Sequence, residues 1–115
     1  MSSPTFTGVR RWPRYHLDVP IRVIVHKPTK TSIFPGRGNE LSQGGMALTA
    51  GVELNVGDEA EVEFTPPYAG SPIRVRGAVR NRTGYRYGME FLVDSDAEAE
   101  QFDRLSLLLR TMSSS

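Results

Sequence analysis

The chain has no cysteine among its 115 residues. Disulfides, thiolate metal sites and thiol catalysis are excluded, and a cytoplasmic setting fits. No apolar run approaches the roughly 20 residues that span a bilayer, so no membrane span is expected. Histidine is scarce: His16 and His26 are the only two, and they do not stand at a metal spacing such as His-x-x-x-His. Neither a Gly-x-Ser-x-Gly elbow nor a Walker loop is present. With no nucleophile–base pair in view, the chain does not read as an enzyme, and no cofactor or metal is expected. Met1 to Gly8 lacks the basic-then-apolar plan of a signal peptide.

A net charge of +1 hides a strong segregation. Residues 1–38 hold seven basic residues against Asp18 alone, and residues 39–70 hold six acids and no base. Residues 71–93 return five arginines against Glu90, and residues 94–115 carry five acids against Arg104 and Arg110. Two basic segments around an acidic one give either a one-sided positive surface or a mixed, soluble one.

A chain this short builds one domain with one core. Residues 1–8 read as a flexible lead-in, 9–112 as the domain and 113–115 as a tail. Val19, Ile21, Val23 and Val25 alternate with polar residues, the period of a half-buried strand. Ile33-Phe34 opens a second strand, and Met46, Leu48 and Ala50 mark a third. Asn55 to Asp58 reads as a turn. Ala60, Val62 and Phe64 then alternate with Glu59, Glu61 and Glu63, a strand with one solvated face. Pro66-Pro67 ends it, because proline cannot donate to a ladder. Ile73, Val75 and Val79 alternate with Arg74, Arg76 and Arg80, and Asn81 to Gly84 offers a turn. Tyr85, Tyr87, Met89 and Phe91 then share one face. At the end the period changes: Ser95 and Glu98 form a capping box, and Phe102, Leu105, Leu108, Leu109 and Met112 recur at helical spacing. That stripe is expected to pack on the domain's own core. The pattern predicts an all-β fold with one C-terminal helix, a small antiparallel β-barrel.

Two short segments carry the chemistry. Arg10, Arg11 and Arg14 surround Trp12-Pro13. Each guanidinium is a planar, always-charged fork that grips a phosphate bidentately or bonds guanine O6 and N7 together. The plain alternative is a solvated basic tail with Trp12 resting on the barrel. The second segment is Glu40-Leu41-Ser42-Gln43-Gly44-Gly45, which offers a carboxylate, a hydroxyl and approachable backbone. Its plain alternative is a tight strand connection in which Ser42 bonds its own turn.

Taken in order, the two segments resemble the motifs of the PilZ domain family, bacterial receptors for cyclic di-GMP. Members carry Arg-x-x-x-Arg near the start, then Asp or Asn-x-Ser-x-x-Gly after the first strands. Here these are Arg10 to Arg14 and Glu40 to Gly45. The Gly77-Ala78-Val79 strand and the Tyr87-Gly88-Met89-Glu90-Phe91 ending are also similar. The resemblance implies a six-stranded barrel with a C-terminal helix, cyclic di-GMP as ligand, and an unidentified downstream protein that reads a ligand-induced change of shape. It implies a site of Arg10, Arg11, Arg14, Glu40, Ser42 and Gly45, with Gly45 letting the backbone come close to the ligand. One position departs from the family: Glu40 stands where members have Asp or Asn, and reaches one methylene further. By strict alternation Asn39 points to the opposite strand face, so it is assigned no role.

Two other readings stand beside this one. A PilZ-like domain without ligand would act in protein contact alone. A basic barrel for single-stranded nucleic acid would use Arg74, Arg76, Arg80, Arg82 and Arg86 beside Tyr85 and Tyr87. The acidic middle segment repels a phosphate chain, so nucleic acid is not the expected partner.

Overall fold

Alternation of apolar and polar residues builds six strands in the computed structural model, which describes residues 14–66 and 70–113. They are β1 (Tyr15–His26), β2 (Thr31–Leu41), β3 (Gly45–Ala50), β4 (Glu59–Phe64), β5 (Ile73–Thr83) and β6 (Arg86–Leu92). All neighbours are antiparallel, and the order β1-β2-β3-β6-β5-β4 closes into a barrel. Closure runs through a short β1–β4 contact centred on Val23 opposite Val62. The expected barrel is the observed one.

The inward residues of every strand meet in one core, with Val23, Leu41, Leu48, Val62, Val79 and Tyr87 almost fully buried. Burying a Val or Leu side chain contributes about 1.5–3 kcal/mol, so this interior is the main source of stability. Tyr87 is a core residue with a polar tip. Its hydroxyl donates to the carbonyl of Val52 and accepts from the Leu54 amide at 3.0 Å. That ties the β3–β4 connection to β6.

Helix α1 (Asp96–Ser113) is capped as the sequence predicts. The Glu98 amide donates to Ser95 Oγ at 3.1 Å, and the Glu98 carboxylate accepts from the Asp94 amide at 2.8 Å. Leu105 and Leu109 are buried in the barrel's core, with Phe102 and Leu108 packed against it. The side chain of Met112, expected on this stripe, lies outside the described residues. Arg104 fixes the helix by donating to the carbonyls of Ser71 and Pro72.

Two expectations change. Asn81, Arg82 and Thr83 belong to β5, and the turn is Gly84-Tyr85, where Gly84 takes φ 61°. Tyr85 therefore leaves the inward face: it is 54% exposed, and inward alternation begins at Tyr87. The glutamates of β4 are also less solvated than their spacing suggests. Glu63 meets Arg74 and Arg22, Glu61 meets His26 and Arg74, and Glu59 meets Arg76.

Candidate functional site

The antiparallel register of β1 and β2 joins the two sequence motifs. Tyr15 lies opposite Leu41 and His16 opposite Glu40. Arg14, the residue before β1, is thereby set beside the end of β2. Its Nη1 donates to Glu40 Oε1 at 3.2 Å, and His16 Nδ1 lies 3.9 Å from Glu40 Oε2. The Arg14 side chain is half exposed, so this pair contributes at most about 1 kcal/mol. Arg10 and Arg11, with Trp12 and Pro13, lie outside the described residues.

Ser42 organises the turn that follows. Its Oγ accepts from the amides of Gly44 and Gly45, both at 3.2 Å, and donates to the Gly45 carbonyl at 3.4 Å. The Ser42 amide donates to the same carbonyl at 2.9 Å. A serine at the first position of such a turn satisfies its own backbone. Gly45 also has a structural reason to be small. A Cβ there would collide with the main-chain carbonyl of Met89 on β6, so the glycine is needed for β3 and β6 to pair.

Arg14, Glu40, Ser42 and Gly45 line one open groove of about 720 Å³ on the outside of the barrel. Its floor follows a row across four adjacent strands: Glu40 of β2, Ala47 of β3, Gly88 of β6 and Asn81 of β5. With strands about 4.8 Å apart, the row spans roughly 14 Å. Polar side chains stand at its ends, and at most one methyl group rises from its centre.

A register shift flanks each end of this row. The first, between Gly38 and Glu40, places one extra residue in β2. Gly38 and Leu41 are both buried, so alternation breaks between them. Asn39 consequently faces outward and its Oδ1 accepts from the exposed Thr49 hydroxyl at 3.0 Å. That corrects the expectation that Asn39 and Glu40 point to opposite faces; Asn39 is nonetheless not among the groove's lining residues. The second shift, between Val79 and Asn81, turns both Arg80 and Asn81 to the outer surface. Bulges re-aim side chains in this way.

The far wall holds residues that sequence reading did not place in the site: Arg80, Asn81, Thr83, Arg86 and Gly88. Arg80 donates to Glu90 at 2.6 Å. On β6, the Arg86 guanidinium has no partner among the described residues. The arginines of β5 are all held. Arg74 binds Glu63, Arg76 binds Glu59, Asp94 and Glu98, and Arg82 reaches the carbonyls of Leu54 and Gly84 and lies over the Tyr87 ring. The sequence signals for this wall were the Tyr87-Gly88 pair and the arginines at 80 and 86; the second bulge has no composition of its own.

A sequence model of the PilZ domain matches residues 9–108. No curated protein matches the sequence. Several solved structures share the fold. The PilZ domain of CeSA from a cellulose-synthesizing bacterium superposes with a TM-score of 0.66 at 17% identity, over 85% of this chain and 98% of that one. The PilZ domain of Escherichia coli YcgR with c-di-GMP gives 0.62 at 19% identity, over 90% and 93%. The K. pneumonia MrkH–c-di-GMP complex gives 0.62 at 20% identity, and there the match covers 94% of this chain but 55% of the other.

Proposed function

The chain belongs to the PilZ domain family, and on that premise we propose that it is a non-enzymatic, cytoplasmic receptor for cyclic di-GMP. The observation that carries this reading is the Arg14–Glu40 contact, because it brings one residue of each motif to one groove. Residues 9–112 form the receptor unit.

The chemistry follows from the groups present. The dinucleotide brings two phosphates and two guanines. Arg14 exchanges a monodentate carboxylate for a phosphate, which its fork grips through two parallel bonds. Arg10 and Arg11 supply further guanidinium groups for phosphate or guanine edges. Glu40, released from Arg14, accepts from the guanine N1 and N2 donors. Ser42 turns its hydroxyl proton from the Gly45 carbonyl to the ligand. Gly45 contributes its backbone and a surface free of side chain. The exchange reshapes the N-terminal surface, and an unidentified downstream protein reads the new shape.

A second reading has one observation in its favour. Arg14, Glu40 and Ser42 all have internal partners, so these three motif residues are satisfied within the protein. A domain acting through protein contacts alone would look the same. The nucleic-acid reading has lost its support, since four of its five arginines are held by acids or carbonyls.

Chemical-shift mapping tests the receptor reading. On titration with cyclic di-GMP, the amide signals of Ser42 to Gly45 and the Arg14 side-chain signal should move together and saturate. Shifts confined to other surfaces, or none, would overturn it.

A further inference from the structure

Asn81 is a polar side chain with no hydrogen-bond partner among the described residues, at one end of the groove floor. Strict alternation after the buried Val79 would turn Asn81 into the barrel. The register shift between Val79 and Asn81 turns it out instead, opposite Gly88. Gly88 is the other half of the arrangement. Its backbone has no positive φ, so its conformation does not demand glycine. What a Cβ would meet there is the Asn81 carboxamide, with both amide heteroatoms at 2.6 Å and the carbonyl carbon at 2.9 Å. The missing side chain at 88 is thus the space in which the Asn81 amide lies.

We infer that Asn81 is a specificity-determining residue of this groove: its carboxamide, seated at Gly88, reads the edge of a guanine lying toward Ala47, the one of the dinucleotide's two that Glu40 does not hold. The inference rests on the receptor reading and assigns one side chain a place in it. A carboxamide presents one acceptor and two donors side by side. Guanine presents the O6 acceptor beside the N1–H donor. Nδ2 donates to O6 while Oδ1 accepts from N1–H, a two-bond contact of the kind that fixes a base by its edge. The floor allows it, because beyond the amide seated at Gly88 a flat ring meets only the Ala47 methyl and main chain. Arg86, whose guanidinium has no partner among the described residues, stands beside this end as a further donor.

The test uses cyclic di-GMP and cyclic di-AMP as probes, with melting temperature recorded for each variant. Asn81→Asp keeps shape and volume but replaces the donor to O6 with a charged acceptor. It should weaken cyclic di-GMP by at least about tenfold. It should also shift the preference between the two probes toward the adenine compound, whose N6 amine is a donor. Asn81→Ala should lose a comparable factor for cyclic di-GMP. Gly88→Ala keeps the carboxamide but drives it off the floor, and should weaken cyclic di-GMP with little change in melting, because the displaced group is an exposed side chain. If the parent binds cyclic di-GMP and Asn81→Asp keeps both its affinity and its preference, the assignment of Asn81 is overturned while the receptor reading stands. If the parent binds neither probe, both fall.

Discussion

Arg14 and Glu40 stand 26 positions apart in the chain, yet a guanidinium nitrogen of one lies 3.2 Å from a carboxylate oxygen of the other. Each belongs to a different motif, and the strand register between them does the joining. On the proposed function, the carboxylate occupies the guanidinium that a phosphate of the ligand takes over.

Arg14→Ala should therefore cost binding and spare the fold. The half-exposed pair contributes at most about 1 kcal/mol to stability. Loss of a charge-assisted contact should weaken cyclic di-GMP by about tenfold or more. Calorimetry and a urea melt on one preparation separate the two effects. Unchanged affinity would remove Arg14 from the site.

Glu40→Asp should strengthen binding severalfold. The shorter side chain withdraws the carboxylate from Arg14, frees the guanidinium, and offers guanine a stiffer acceptor with one rotatable bond fewer. Parallel titrations of parent and variant check it. Weaker binding by the aspartate form would mean that the longer reach of glutamate is itself needed.

Gly45→Ala should damage the barrel before it affects any ligand. The added methyl group meets the Met89 carbonyl on the neighbouring strand, which cannot rotate away. Overpacking of this kind costs about 1–3 kcal/mol, and a main-chain obstacle places the variant at the upper end. A thermal melt reads it. A normal melt with lost binding would return Gly45 to a purely ligand-facing role.

Tyr87→Phe removes a hydroxyl that serves two main-chain groups of the β3–β4 connection. The Leu54 amide then loses its partner at a buried site, which costs about 1–3 kcal/mol. The urea midpoint should fall with an unchanged slope.

Glu98 gives the protein an acid-sensitive joint. Hydrogen bonds from Arg76, and then the backbone amide of Asp94, hold its carboxyl below the usual glutamate range. A carboxyl lowered in the folded state stabilises above its unfolded pKa, and that contribution is lost as pH falls through the folded value. Glu98→Gln should lower the melting temperature at about pH 7, and the difference from the parent should shrink at acid pH, once the pH has fallen through the carboxyl's lowered folded-state value. An equal difference at both pH values would show that the contact acts without charge.

Most of the barrel was legible because its signal is local. The alternation of Ala60, Val62 and Phe64 with glutamates, the Ser95–Glu98 cap and the Leu105–Leu109 stripe each depend on neighbours in sequence. What escaped depends on neighbours in space. Nothing around Gly38 to Glu40 or Val79 to Asn81 announces an extra residue, so Asn39 was assigned to the wrong face and Asn81 to a turn. The motifs themselves gave Arg14, Glu40, Ser42 and Gly45, which the fold gathers in one groove. The structural reason for Gly45 was hidden until β6 was laid beside β3. The arginines of β5 read as a basic face because the acids that neutralise them come from β4, β6 and the start of α1.

Direct calorimetric titration of the chain with cyclic di-GMP is the most immediate test of the receptor assignment. The account predicts saturable heat with a dissociation constant in the micromolar range or tighter, weakened about tenfold or more when the Arg14 guanidinium is removed. No heat with ligand up to about 100 μM, against a scale on which 1 μM corresponds to about 8 kcal/mol, would contradict it.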